Sequence, residues 1–172
     1  MNSKKEYIIN VRTSALVSKF DHYGNERTLV FEGALTFLVD LPPDKIVEKS
    51  YQYIGRSLKG AISGARHILR KSYKVPIAYS IKHDIILIHC YRPKNVGKVW
   101  LVNSHIHQLV ENDNKQCTVI TKFGHRIPTC MKVSKLQDKR NQATFLHKEL
   151  LYRSNIDPLK DFDVDKNHEQ NE

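Results

Sequence analysis

The segment from Ser57 to Lys74 constrains the fold of this chain more strongly than any other part of the sequence. Its apolar and small residues recur at helical spacing, which predicts a helix packed on a core. The residues of this stripe are Leu58, Ala61, Ile62, Ala65, Ile68, Leu69 and Ser72. The residues of the opposite side are Arg56, Lys59, Ser63, Arg66, His67 and Arg70. The segment therefore predicts an amphipathic helix with one buried and one cationic side.

Two glycines, Gly60 and Gly64, lie along the edge of this cationic side. A glycine inside a helix lowers helix stability by roughly 1 kcal/mol relative to alanine. Two glycines in one helix therefore indicate that something other than helix stability favours them. One reason is a partner that approaches the helix backbone closely, and a polyanion suits a segment that contains no acidic residue. The alternative is that the glycines mark a break or let another helix pack against this one.

A helix is also predicted just before this segment, from Pro43 to Tyr53. Proline is tolerated in a first helical turn, and Asp44 suits the positive end of the helix dipole. Gly55 is placed to end this helix in the left-handed conformation, and Ser57 is a favourable N-cap for the next one. Two helices joined by so short a turn have the outline of a helix-turn-helix DNA reader.

The remaining chain predicts mainly strands. These are Tyr7–Val11, Thr28–Phe31, Ala34–Val39, Ile85–His89, Trp100–Val102, His105–Val110, Cys117–Thr121 and Arg126–Met131. Two hairpins are expected, one about Glu32-Gly33 and one about residues 122–125. A last helix is predicted from Ser134, as its cap, to Arg153. Its inner residues would be Leu136, Ala143, Leu146, Leu150 and Leu151.

These elements predict an α+β fold with mostly antiparallel strands, a helix pair near residues 43–73 and a C-terminal helix. The length suits one domain, which we place at residues 1–154. Residues 155–172 form an acidic tail with few apolar side chains, and we expect it to be disordered.

The charge of the chain is positive and unevenly distributed. Lys and Arg number 28 and Asp and Glu 18, a net charge of +10. The stretch 44–98 holds twelve basic and three acidic residues, whereas the stretch 157–172 carries a net charge of −4. Such a field attracts nucleic acid or an anionic membrane surface. Because no apolar run approaches ~20 residues and no secretion signal is evident, we expect a cytoplasmic protein without a membrane partner.

Sequence motifs for catalysis are absent: there is no phosphate loop, GxGxxG, HExxH or GxSxG pattern. The three cysteines form no CxxC pair, so neither a zinc finger nor a disulfide framework is expected. One alternative stays open. If His105 and His107 share a strand face, they could hold a metal together with Cys90, Cys117 or His125 and serve a metal-dependent hydrolase. We nevertheless expect no catalytic residue, no metal ligand and no cofactor.

The sequence feature that does indicate a function is the set of basic residues on the central helix and in the loops that follow it. Lys and Arg neutralise phosphates and release counterions, and arginines can enter a narrow A/T-rich minor groove. Our candidates for DNA contact are Arg56, Ser57, Lys59, Gly60, Ser63, Arg66, Arg70, Lys71, Lys74, Arg92, Lys94 and Lys98. An RNA-binding protein is the alternative, although tyrosines such as Tyr51, Tyr53 and Tyr73 lie in or beside helices rather than on a sheet.

An ordered set of residues between Ile46 and Arg153 resembles the pattern of the ComK family, the bacterial competence transcription factors. The residues that carry the resemblance are Ile46-Val47, Ser50, Gly55, Ser57, Gly60, Gly64, Pro76-Ile77, Trp100 and His105. The resemblance implies an activator of DNA-uptake genes, its own gene included. It would bind paired A/T-rich boxes as a homo-oligomer, chiefly through the minor groove, and act on RNA polymerase.

The same resemblance implies control by an adaptor that delivers the protein to a protease, and it implies no cofactor. The chain departs from the family pattern at both ends, and its C-terminus is shorter and acidic. Adaptor control is therefore open here, as is the alternative of a paralogue that controls a different gene set.

Overall fold

The protein forms nine strands and three helices within residues 3–90 and 97–155, the part that the computed structural model describes. The strands are β1 Thr13–Phe20, β2 Glu26–Glu32, β3 Leu35–Val39, β4 Ile77–Ser80, β5 Ile85–Cys90, β6 Val99–Val102, β7 Ile106–Glu111, β8 Cys117–Thr121 and β9 Arg126–Pro128. The helices are α1 Pro43–Tyr53, α2 Leu58–Leu69 and α3 Val133–Asn155, and a 3₁₀ turn spans Asn103–His105. The α+β class, the helix pair and the C-terminal helix are confirmed.

The strands form two antiparallel sheets. The larger has six strands in the order β3-β2-β1-β6-β5-β4, and the smaller has the order β7-β8-β9. Strand β5 shows that the larger sheet is buried on both faces. Ile85 and Leu87 belong to one core cluster, whereas Ile86 and Ile88 belong to the other. Because alternate residues of a strand point to opposite faces, helices and the smaller sheet must cover both sides.

Helix α1 and the N-terminal segment cover one face of the larger sheet, where Ile46, Val47 and Tyr51 are fully buried. Helix α3 and the smaller sheet cover the other face, with Leu136 and Leu146 in the core. Helix α2 packs on the edge strand β4 and on both other helices. Residues of α2 belong to both core clusters. The apolar side of the helix therefore faces the core, and its opposite side faces outward.

The predicted strand Tyr7–Val11 is wrong, and the first strand is Thr13–Phe20 instead. Tyr7 and Ile9 are both buried in the core cluster that contains α1, although their segment does not pair in a sheet. The Ile9 amide donates to the hydroxyl of Ser50 at 3.0 Å, a bond to a helix side chain rather than to a neighbouring strand. The Tyr7 ring packs against Phe37 of β3. Their alternating burial thus arises from tertiary packing and not from strand pairing.

Several smaller differences follow from tertiary structure. The first hairpin pairs Glu32 with Leu35, so its connection is Gly33-Ala34 rather than Glu32-Gly33. Strand β9 ends at Pro128 and not at Met131. Helix α3 begins at Val133, so Ser134 lies inside its first turn and not at its cap. Ser72 and Leu151 were predicted to face the core, but both are exposed. The predicted tail lies outside the described residues, apart from Asn155 at the end of α3.

Candidate nucleic-acid interface

The joint between α1 and α2 sets where the cationic helix begins. Gly55 has a φ of 68° and ends α1 in the left-handed conformation, as predicted. The Arg56 amide donates to the Tyr51 carbonyl at 2.9 Å, and the Gly55 amide donates to the Gln52 carbonyl at 3.0 Å, which is the Schellman pattern. The Ser57 hydroxyl then accepts the Gly60 amide at 3.1 Å and caps α2. The backbone turn at Gly55 and Arg56 and the side chain of Ser57 therefore fix the start of α2.

The outward side of α2 is cationic and fully exposed. Lys59, Ser63, Arg66 and Arg70 all lie on it, opposite the half-buried and buried apolar stripe. Within residues 3–90 and 97–155, no carboxylate forms an ion pair with Lys59, Arg66 or Arg70. The described part of the chain therefore leaves these charges without a neutralising carboxylate. Arg56 is anchored differently, since its guanidinium donates to the Tyr79 carbonyl at 3.3 Å.

Gly60 and Gly64 line an apolar groove of about 370 Å³ between α2 and α3. Leu146 and Leu150 of α3 form part of its other wall. A Cβ at Gly64 would meet nothing within 4 Å, and one at Gly60 would meet Ser57 at an ordinary 3.5 Å. Neither glycine is therefore required by packing within the protein. The lining is mainly apolar, and it also includes Arg56 and Ser57 at the start of α2.

Lys71 and Lys74 lie past the end of α2 and line a different groove, opposite the start of α3. This groove also contains Lys132, Lys135 and Lys139, which the sequence analysis did not select. A signal for them was present, because positions three and seven residues apart lie on one helix face. What the sequence did not indicate is that this face meets the segment following α2.

Lys98 lies elsewhere, at the start of β6, and its ammonium group forms an ion pair with Asp44 in the first turn of α1. The Trp100 indole donates to the other oxygen of the same carboxylate at 2.8 Å. The structure thus separates Lys98 from the outward side of α2 and gives it an acidic partner. Arg92 and Lys94 lie outside the described residues.

The histidine pair does not have the geometry that a shared metal would require. His105 lies in the 3₁₀ turn before β7, so the premise that it shares a strand face with His107 is wrong. The ring of His105 packs against Phe123 and lies 3.2 Å from the Ser14 hydroxyl. Across residues 3–90 and 97–155, no group of three or more His, Cys, Asp or Glu residues is arranged to hold a metal ion.

Among the described residues, no helix is both long and apolar enough to cross a membrane. No curated protein and no solved structure matches the chain. The sequence model of one family, described as ComK protein, matches residues 4–155. The match includes α1, α2, α3 and every strand described above. Because it covers nearly the whole chain, the protein belongs to the ComK family, which is a family of competence transcription factors and not of enzymes.

Proposed function

We propose that this protein is a DNA-binding transcriptional activator of competence genes that recognises paired A/T-rich boxes. The observation that supports the proposal is the outward side of α2. There Lys59, Arg66 and Arg70 are exposed and have no ion pair with a described carboxylate. Neutralising phosphates with such groups releases counterions and supplies most of the sequence-independent affinity for DNA.

The contact residues that we propose form two groups. The first, on or beside α2, consists of Arg56, Ser57, Lys59, Gly60, Ser63, Arg66 and Arg70. The second, in the segments that follow, consists of Lys71, Lys74, Arg92, Lys94 and Lys98. We place Lys98 last among them, because Asp44 already balances its charge.

We propose minor-groove recognition, since a narrow A/T-rich minor groove has an enhanced negative potential that attracts arginine. Insertion of α2 into the major groove, in the manner of a helix-turn-helix protein, is the competing mode. Replacing A·T pairs by inosine·cytosine pairs distinguishes the two modes, because this keeps the minor-groove pattern and changes the major-groove pattern. Retained affinity would support minor-groove recognition, and lost affinity would support major-groove insertion.

Paired boxes imply at least two copies of the protein on one site, so we propose a homo-oligomer. As an activator it would contact RNA polymerase. Adaptor-controlled proteolysis, which the family resemblance implies, stays open for this chain. The remaining parts of the proposal are a cytoplasmic location and activity without a cofactor.

Selection from a pool of random duplexes tests the proposed recognition directly. We expect runs of A and runs of T to be recovered at a fixed separation. Affinity for a selected duplex should fall with salt at a log–log slope near −4.5, if about five phosphates are neutralised per protomer. Binding without any A/T preference would contradict the proposed recognition, and the absence of duplex binding would contradict the function as a whole.

RNA binding is a second candidate because two exposed tyrosines flank α2. Tyr53 at the end of α1 and Tyr73 after α2 are 75% and 64% exposed, and the Lys74 ammonium group lies 4.8 Å from the centre of the Tyr73 ring. Exposed aromatic rings are the groups on which bases stack. Competition between an A/T-rich duplex and single-stranded RNA of the same sequence separates the candidates. Displacement of the duplex by equimolar RNA would favour RNA binding.

A further inference from the structure

A groove of about 530 Å³ lies between the segment that follows α2 and the first turns of α3. Five lysines and one carboxylate line it. The lysines are Lys71, Lys74, Lys132, Lys135 and Lys139, and the carboxylate is that of Asp138. The lining therefore carries a net charge of +4 in one concavity. Walls of low dielectric concentrate such a field and attract anions into it.

Lys139 connects the two walls of this groove. Its ammonium group donates to the Lys74 carbonyl at 3.0 Å, which ties α3 to the segment after α2. Burial lowers the pKa of Lys139, and the nearby charges of Lys74 and Lys71 lower it further. The groove therefore keeps cations close together, and a bound anion would offset their mutual repulsion.

The start of α3 adds to the positive potential. The first turn of a helix normally favours acidic residues, because its free amides carry a partial positive charge. The first turn of α3 contains no acidic residue, and Lys132 and Lys135 lie immediately before and within it. The free amides and the two ammonium groups therefore repel each other, and together they attract an anion.

The backbone of the facing wall points to the same conclusion. Lys74, in this wall, adopts a left-handed φ of 54°, and Arg70, which caps α2 just before the wall begins, adopts one of 51°. A side chain in this region costs roughly 1 kcal/mol or more, a cost that glycine avoids. The chain nevertheless has a cationic residue at both positions, as expected if the charge is needed there.

The geometry points to this lysine groove as a phosphate-binding site that holds the backbone of the DNA duplex next to the outward side of α2. Arg70, at the end of α2, directly precedes Lys71 of the groove, so the two surfaces are neighbours in the chain. The inference rests on the proposed function, and it adds α3 to the DNA-binding surface.

Alkylation of Cys130 in the unmodified protein tests occupancy of the groove. Cys130 lines the groove and is partly accessible, whereas Cys90 and Cys117 are buried and serve as internal controls. We expect an A/T-rich duplex at nine times its Kd to slow iodoacetamide labelling of Cys130 about tenfold. Inorganic phosphate at the same ionic strength should not reproduce this protection. Unchanged labelling under saturating duplex would overturn the inference, whether or not phosphate protects.

A pair of charge-removing variants tests the energetic contribution. K132Q/K135Q should reduce the magnitude of the log–log salt slope by about 1.8, which corresponds to two lost phosphate contacts. K5Q/K122Q removes the same charge from exposed lysines outside the groove and should leave the slope unchanged. Circular dichroism checks that each variant is folded.

The outcomes separate this inference from the proposed function. If the unmodified protein binds duplex DNA and K132Q/K135Q keeps its salt slope, the groove is excluded and the function stands. If the unmodified protein binds no duplex, both are refuted. Equal loss of slope in the two variants would also overturn the inference, because general charge would then explain the effect.

Discussion

The outward side of α2 and the corner where α1 meets β6 carry the same kinds of basic residue in different surroundings. On α2, no described carboxylate pairs with Lys59, Arg66 or Arg70. At the corner, Asp44 holds Lys98 in an ion pair and accepts a hydrogen bond from Trp100. The comparison teaches that the number of cations in a segment does not say which of them are available to a partner.

The basic residues of α2 lack a carboxylate partner for a local reason, whereas Lys98 at the corner has one because of a long-range contact. α2 contains no acidic residue, so it has no partner within its own turns. Asp44 occupies the first turn of α1, where the helix dipole favours a carboxylate. The fold brings Lys98 to that carboxylate across 54 residues of sequence. The corner is thus internally neutralised, and α2 is not.

The largest expected effect comes from reversing charge on α2. R66E/R70E should weaken binding to an A/T-rich duplex by about 100-fold or more, because two phosphate contacts become repulsive. The fold should be retained, since both side chains are exposed. Fluorescence anisotropy measures the affinity, and circular dichroism checks the structure.

The matched control makes the same change in net charge on α1. Lys45 and Lys49 are exposed or half-buried and already paired, with Glu48 at 2.7 Å and Glu6 at 2.8 Å. K45E/K49E should therefore lower affinity far less than R66E/R70E. Equal losses in the two variants would show that net charge, and not the position of α2, determines binding.

Much of the fold around this comparison could be predicted because its signals are local. Pro43, Gly55 and Ser57 mark helix ends by their own conformational preferences, and α1 begins and ends at the predicted residues. The run Ile85 to His89 is strongly β-prone, and β5 extends it by a single residue. Such signals depend only on neighbours in sequence.

What could not be predicted depends on distant parts of the chain. Nothing near Lys98 reveals that Asp44 will neutralise it, and nothing near Lys74 reveals that Lys139 will donate to its carbonyl. Tyr7 and Ile9 mimicked a strand because tertiary packing buries both of them, Ile9 beside α1 and Tyr7 against Phe37 of β3. The sequence predicted which side of a helix carries basic residues. Which groups pair with those residues is decided by the tertiary structure.

The second-largest expected effect is a change in the stability of the protein with pH, and it arises at the corner where α1 meets β6. His89 packs against Trp100 with ring centroids 4.6 Å apart. Burial is the main cause that lowers the pKa of His89 to about 4; Lys139, Lys98 and Lys74 add to it, and Asp44 opposes it. In the unfolded chain the pKa returns to its ordinary value near 6.5, so the unfolded state takes up the proton first as pH falls.

This linkage predicts that the free energy of unfolding falls by about 2 kcal/mol between pH 7 and pH 5 because of His89 alone. Urea unfolding at several pH values measures it, and H89Q should lack this component. The comparison uses the pH dependence and not the absolute stability, because the substitution itself can alter packing. An unchanged pH dependence in H89Q would contradict the prediction.

A smaller effect, of opposite sign, is expected for the glycines of α2. G60A and G64A should each raise the free energy of unfolding by about 1 kcal/mol, since alanine favours the helix and the added methyl group meets no clash. If a partner approaches this flank closely, the same methyl groups should weaken its binding. Q52A on α1 is the control, because it changes an exposed helical residue away from the glycine flank. A loss of stability in G64A would contradict the open space at that position.

The smallest expected effect is at Lys98, and it tests the comparison most directly. K98Q should change duplex affinity by less than about threefold and reduce the salt slope only slightly, because Asp44 already balances most of this charge. The matched variant K59Q removes the same charge from α2 and should reduce the slope by about 0.9. K98Q should cost no more than about 1 kcal/mol of stability, since both partners of the ion pair are 44% exposed. An equal change of slope in K59Q and K98Q would mean that DNA takes Lys98 from Asp44, and the corner would then contribute to binding as much as α2 does.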